Sequence, residues 1–213
     1  ATHAALDWVR DLRTELGIER VLQFEGTAGA IESAQNPFLS GQLAMVFQGP
    51  WLANWARVYT PDLDYAVAPF PSVRAERQRV FASTDVFVIP TGSRHPREAL
   101  QFLAYVLQQD VMEELCQAHG KVSPYRVPGP DFFARHPNPH IRVFDELATS
   151  PSAFGYPSMP TWAEAWTETL YLLETVLRGA RDSDEALRMT QAKVDSVVAE
   201  YQRMAVRRRG GVR

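Results

Sequence analysis

Four of the five tryptophans fall into two pairs at a spacing of four: Trp51 with Trp55, and Trp162 with Trp166. Each pair opens a helix-like run that follows a proline-containing turn, "QGP" in one case and "YPSMP" in the other. An indole at the mouth of a turn can plug a core, or it can be a flat platform for a flat ligand. A sugar ring suits a platform. One of its faces is a patch of C–H groups, and the hydroxyls around its rim can accept from backbone N–H groups left unpaired at a helix start. Trp51 and Trp55 share one helix face, which leaves room for one in the core and the other outside. Trp8 lies on the apolar side of the first helix and is expected to fill a core.

Other chemistry finds little support. Glu164 and Glu168 lie four apart on one helix, whereas a glycosidase needs two carboxylates flanking the bond from opposite sides, roughly 5–9 Å apart. Of the five histidines, His136 and His140 have a helical spacing, but Pro137 and Pro139 forbid the regular helix that would align them. There is no nucleophile elbow and no P-loop, and "EGTAG" at Glu25–Gly29 reads as a flexible turn. The single cysteine, Cys116, sits in an apolar helical pattern and is expected to be a small core residue. No catalytic residue, metal or cofactor is predicted.

The elements that must position these residues occupy 213 residues, 46% apolar and 22% charged, with a formal net charge of −3. That balance is ordinary for a globular chain and argues against nucleic acid as the main partner. No apolar run approaches the roughly 20 residues of a membrane span. The start at Ala1, with neither methionine nor an apolar leader, reads as the start of a processed or excised piece.

Helical spacing of Leu6, Val9, Leu12 and Leu16 predicts a first helix that stops at Gly17. "AIESAQNPFLSG" predicts a second short helix, kinked or broken at Pro37. "QLAMVFQG", "LDYAVAPFP" and "TDVFVIP" read as three strands, the last buried on both faces. "SVRAERQRVF" reads as a polar loop or hairpin. Pro96 and Glu98 open a helix with Leu100, Leu103 and Leu107 along one side. Asp110 is expected to cap the next helix, which ends at Gly120. "KVSPYRVPGPDFFARHPNP" is irregular and "HIRVFDELATS" is a short helix. Thr161 and Glu164 suggest a capping box for a helix stopping at Gly179, and Asp182 and Glu185 start the last one. The basic tail "RMAVRRRGGVR" reads as a solvated end. Helices with three short strands between them favour an α/β chain.

"NPFLSGQLAMVFQGPW" carries the pattern F-x-x-G-x-x-A-M-x-x-x-G-P-W from Phe38 to Trp51. It resembles the extracellular solute-binding proteins of ABC importers, in the sugar-binding, maltose-binding-protein-like group. "DVFVIPTGSRHPREALQFLAYVL", "HGKVSP" and "YPSMPTWAEAWTETLYLLETVLRGARDSDEAL" resemble later segments of that family, in the family's order. The resemblance implies periplasmic-binding-protein-like (class II) α/β lobes, helix-rich, with only the C-terminal half of the usual two-lobe fold present. It implies a division into 1–80, part of the C-terminal lobe with the Gly-Pro-Trp motif; 81–120, a crossover that normally packs on the N-terminal lobe; and 121–213, the C-terminal lobe helices and tail.

The function implied is binding without turnover. A sugar or oligosaccharide would lie in an interlobe cleft, stacked on Trp51 and Trp166, with Tyr156, Trp162, Tyr125 and Arg126 as further contacts. Closure is expected about Ala82–Val86 and Lys121–Pro124. The implied partners are a sugar-like small molecule and ABC permease subunits, and a missing N-terminal lobe or a second copy would cover segment 81–120. The implied location is periplasmic or extracellular, with a lipid anchor in the full-length protein as one form. Two rivals stay open: a carbohydrate-active enzyme using Glu164, Glu168 or Asp85 as acids, and a ligand sensor or scaffold on the same fold.

Overall fold

A computed structural model describes residues 2–72 and 79–210, the last four of these by backbone alone. The chain divides into two compact units, residues 1–27 with 157–213, and residues 28–156.

The first unit is helical: α1 (Thr2–Leu16), α2 (Ile18–Thr27), α7 (Trp162–Leu177) and α8 (Ser183–Gly210). Leu6 of α1 packs with Leu172, Val176 and Ala186, and Leu173 and Leu187 flank them. The α7–α8 turn is made by its punctuation. Gly179 adopts φ +69°, and the N–H groups of Gly179 and Ala180 donate to the carbonyls of Val176 and Thr175. That pattern satisfies two orphan carbonyls at the helix end and needs a residue tolerant of the left-handed region. Asp182 then caps α8 by accepting the Glu185 N–H at 2.9 Å. Ser183, buried, donates to Asp7 at 2.7 Å and ties α1 to the start of α8. This hydrogen bond leads the causes that lower the Asp7 carboxyl below its ordinary range.

The second unit holds α3 (Leu52–Tyr59), β1 (Val80–Phe81), α4 (Pro96–Val106), α5 (Gln109–His119), α6 (Ile141–Ala148) and β2 (Ala153–Phe154). It has two cores. Leu39, Leu52 and Ala56 gather with Phe38, Trp55, Leu63 and Tyr65. Val106, Met112, Cys116 and Phe132 gather with Tyr125 and Phe133. Burial pushes the Cys116 thiol pKa up, as expected of a core thiol.

Several sequence expectations are corrected here. "AIESAQNPFLSG" forms turns, not a helix. Pro37 lacks an N–H and disfavours helical geometry at Asn36. The buried Asn36 side chain instead accepts the N–H groups of Phe38 and Leu39 and donates to the Ile31 carbonyl. The three expected strands are absent from the described residues, where only β1 and β2 pair, in parallel, two residues each. Met45 is 85% exposed, and Val86, Phe87 and Val88 are exposed, so "TDVFVIP" is not buried on both faces. Extended backbone becomes a strand only where another segment supplies the ladder. Leu100, Phe102 and Tyr105 on α4 are exposed as well.

Asp110 is not the cap of α5. The N-cap is Gln108, without a side-chain bond, and Asp110 lies in the first turn, where its charge still favours the helix dipole. Thr161 is the N-cap of α7 but makes no capping hydrogen bond. Trp8 is 66% exposed, so it fills no core: the apolar stripe of α1 enters the unit through Leu6. α2 has no counterpart in the sequence reading. Most of "SVRAERQRVF" and the tip of the basic tail lie outside the described residues.

Candidate functional site

Pro50 and Trp51 form a turn that feeds directly into α3. The six-membered ring of Trp51 lies against Gly49 so closely that a Cβ there would come within 2.3 Å of ring carbons. The Gly in Gly-Pro-Trp is therefore explained by the indole folding back over it. Trp51 is 39% exposed, and it lines an open hollow of about 410 Å³ with Glu32, Asn54, Trp55, Ala118, His119 and Lys121. That volume falls within the span of small-molecule sites, about 300–1,000 Å³. Trp55 packs half-buried on the Leu39–Leu52 core and also reaches the hollow, whereas Trp51 is no part of that core.

The far wall comes from the end of α5. Gly120 takes φ +69° and closes the helix, with Lys121 N–H donating to the Cys116 carbonyl at 2.8 Å. A side chain at Gly120 would come within 2.9 Å of the Asn54 amide, so glycine also permits the close approach of α3. Lys121 is ion-paired with Asp85, which holds the Asp85 carboxyl below the usual range, first by hydrogen bonding and then by charge.

One expected contact is withdrawn by the geometry. The N–H groups of Leu52, Ala53 and Asn54 already donate to the carbonyls of Gly49, Pro50 and Trp51. A tight first turn satisfies these donors internally. The polar residues on the wall of the hollow are Glu32, Asn54, His119 and Lys121. These four were not singled out from the sequence as contacts. They come from three separate segments, and only "HGKVSP" carried a local signal.

The profile of a family described as bacterial extracellular solute-binding protein matches residues 1–128, more than half of the chain. The chain belongs to this family. Brucella abortus (strain 2308) and Brucella suis biovar 1 (strain 1330) each have a relative described no further than as a binding protein. Each is 25% identical over 173 residues, covering 81% of this chain and 41% of the relative. Two solved structures share the fold: CpMnBP1 with mannobiose bound, at a TM-score of 0.77, and CpMnBP1 with mannotriose bound, at 0.75. Both are 20% identical to the chain, over 89% of it and 48% of theirs. The chain thus spans about two fifths of the curated relatives and about half of the solved structures, a partial periplasmic-binding-protein fold.

The remaining residues expected at the site of this solute-binding chain belong to both units. Trp162 and Trp166 belong to the first unit, with ring centroids 5.8 Å apart at 32°, and Trp166 is partly exposed. Tyr156 belongs to the second unit, edge-on to Phe81 at 4.7 Å and half exposed. Tyr125 packs on the Val106 core, and its hydroxyl donates to the Leu107 carbonyl at 2.5 Å. Arg126 is exposed beside it, and neither lines the Trp51 hollow. Of the carboxylates weighed as acids, Glu164 is exposed, Asp85 is paired with Lys121, and Glu168 lines a separate hollow of about 230 Å³ in the first unit.

Gly49→Ala gives a direct check on the packing of the motif. The new methyl group must displace the Trp51 ring, because it would come within 2.3–2.6 Å of three ring carbons. The expected outcome is a shift in tryptophan emission and a stability loss of about 1–3 kcal/mol from overpacking. Emission and thermal midpoint identical to wild type would show that the ring does not rest there.

Proposed function

We propose that this chain is the ligand-contacting, C-terminal portion of a periplasmic or extracellular sugar-binding component of an ABC importer. It holds a mannooligosaccharide-like ligand against Trp51. The observation that carries this reading is an accessible indole at the lip of an open hollow whose other walls present a carboxylate, an amide, an imidazole and an ammonium. Such a set fits a neutral sugar: the ring face takes the C–H patch, and Glu32, Asn54, His119 and Lys121 take hydroxyls as acceptor or donor. The mannobiose and mannotriose in the neighbouring structures give the choice of ligand class its support. Trp166, Trp162, Tyr156, Tyr125 and Arg126 are further contacts in the whole protein. Release to permease subunits, and cover of the exposed apolar face of 81–120 by another lobe or a second copy, belong to the same reading.

The test is intrinsic tryptophan fluorescence during titration with mannobiose, mannotriose, a polyol and a glycerophosphodiester. A saturable change with the mannosides alone is expected. Flat titrations with both mannosides at millimolar concentration would remove the sugar assignment.

A further inference from the structure

His136 and Asn138 are both buried and take no part in the proposed contact set. A buried imidazole and a buried carboxamide are costly unless their polar atoms are matched, and here they are. Asn138 N–H donates to His136 Nδ1 at 3.0 Å, which leaves the hydrogen of a neutral ring on Nε2, 3.1 Å from the Lys121 carbonyl. Asn138 Oδ1 accepts the His140 N–H at 2.8 Å, and Asn138 Nδ2 donates to the Pro50 carbonyl at 3.0 Å. Burial pushes the His136 pKa below its ordinary value, which is consistent with the neutral ring.

The two outer partners are not arbitrary. Pro50 immediately precedes Trp51, and Lys121 itself lines the hollow. The "HPNPH" segment is also stiff. Pro137 and Pro139 fix φ and carry no N–H, so the segment has N–H groups only at 136, 138 and 140. All three are hydrogen-bonded, that of His136 to the Phe133 carbonyl.

We propose that His136 and Asn138 are positioning residues of the Trp51 hollow. Through the Lys121 and Pro50 carbonyls they fix the separation of its two walls, and so set ligand affinity without touching the ligand. The proposal rests on the reading of this hollow as the ligand site.

The test uses the 213-residue chain with Asn138→Asp, Asn138→Ser and His136→Gln. The serine variant guards against misfolding caused by a buried charge. Aspartate has no donor for the Pro50 carbonyl, and the serine hydroxyl is one atom too short to reach it, while both keep an acceptor for the His140 N–H. They are expected to raise the mannotriose dissociation constant about five- to tenfold, the worth of one such hydrogen bond. Hydrogen exchange at the Leu52–Asn54 amides should accelerate in both, while the α7–α8 amides stay as in wild type. Glutamine at 136 can still donate to Lys121 and should keep most of the affinity. Unchanged exchange at Leu52–Asn54 in the serine variant overturns the proposal, as does faster exchange with unchanged affinity. If wild type itself ignores mannotriose, the sugar assignment fails and exchange alone judges the positioning: lost protection supports it, retained protection overturns it.

Discussion

Trp51→Ala is expected to weaken mannotriose binding by roughly 30-fold, about 2 kcal/mol, while leaving the fold intact. The size follows from what the ring does on each side. It stands at the lip of the hollow with more than a third of its surface exposed, and it is not a member of the Leu39–Leu52–Ala56 core. Removing it takes away a large flat surface of the site and also uncovers Gly49, against which the ring rests. A stability loss of about 1–2 kcal/mol is therefore expected alongside the loss of binding. Trp55→Ala is the comparison: Trp55 also lines the hollow but is anchored in that core, so its loss should show first in stability. Its ring packs on that core, so truncation there leaves a cavity costing about 3 kcal/mol or more. Calorimetric titration of both variants, with urea unfolding alongside, separates the two roles. Wild-type affinity in Trp51→Ala would refute the platform.

The elements legible in the sequence were those whose ends are fixed locally. α4 has Pro96 at its start, α5 and α7 end on Gly120 and Gly179, and α8 begins on the Asp182 cap. Each signal acts within one or two turns of its own helix, so no knowledge of the rest of the chain is needed. The strand expectations failed for the converse reason. Leu43, Met45 and Phe47 do alternate, but alternation only shows which face would be buried if a neighbouring strand supplied a ladder. α2 was missed because Ile18, Val21 and Leu22 form too short a stripe to stand out, and because "EGTAG" was read as a turn although Glu25–Thr27 are helical.

The site was legible in part for the same reason. Gly-Pro-Trp is contiguous, so its indole could be read as a platform. The walls facing it come from Glu32, from Asn54, and from His119 with Lys121, residues brought together only by packing. "HPNPH" was read only as a pair of histidines that cannot share a helix face. Its polar atoms prove to be spent on the carbonyls of Lys121 and Pro50, a role that needs coordinates to see.

Glu113→Ala should cost the second unit about 3 kcal/mol, a large effect for a residue that lines no part of the hollow. Glu113 is buried on α5, and its carboxylate accepts from Gln109 Nε2 at 3.1 Å, from Ser123 Oγ at 2.9 Å, and from the Gly129 N–H at 2.9 and 3.1 Å. Gly129 lies so close that a Cβ there would come within 2.7 Å of the carboxylate. One side chain thus pins the proline-rich stretch that leaves Lys121 and carries Tyr125 and Arg126. Alanine strands three donors and opens a void under the Gly129 turn. Glutamine is the sharper variant. It keeps the shape and one acceptor oxygen, but its NH₂ adds a donor where every neighbour already donates, so about 1–2 kcal/mol should still be lost. Urea unfolding reads both: the midpoint should fall with the slope unchanged, since the surface exposed on unfolding stays nearly the same. If Glu113→Ala unfolds at the wild-type midpoint, the carboxylate does not hold the 123–129 loop, and the position of Tyr125 and Arg126 must be set by the Phe132 core alone.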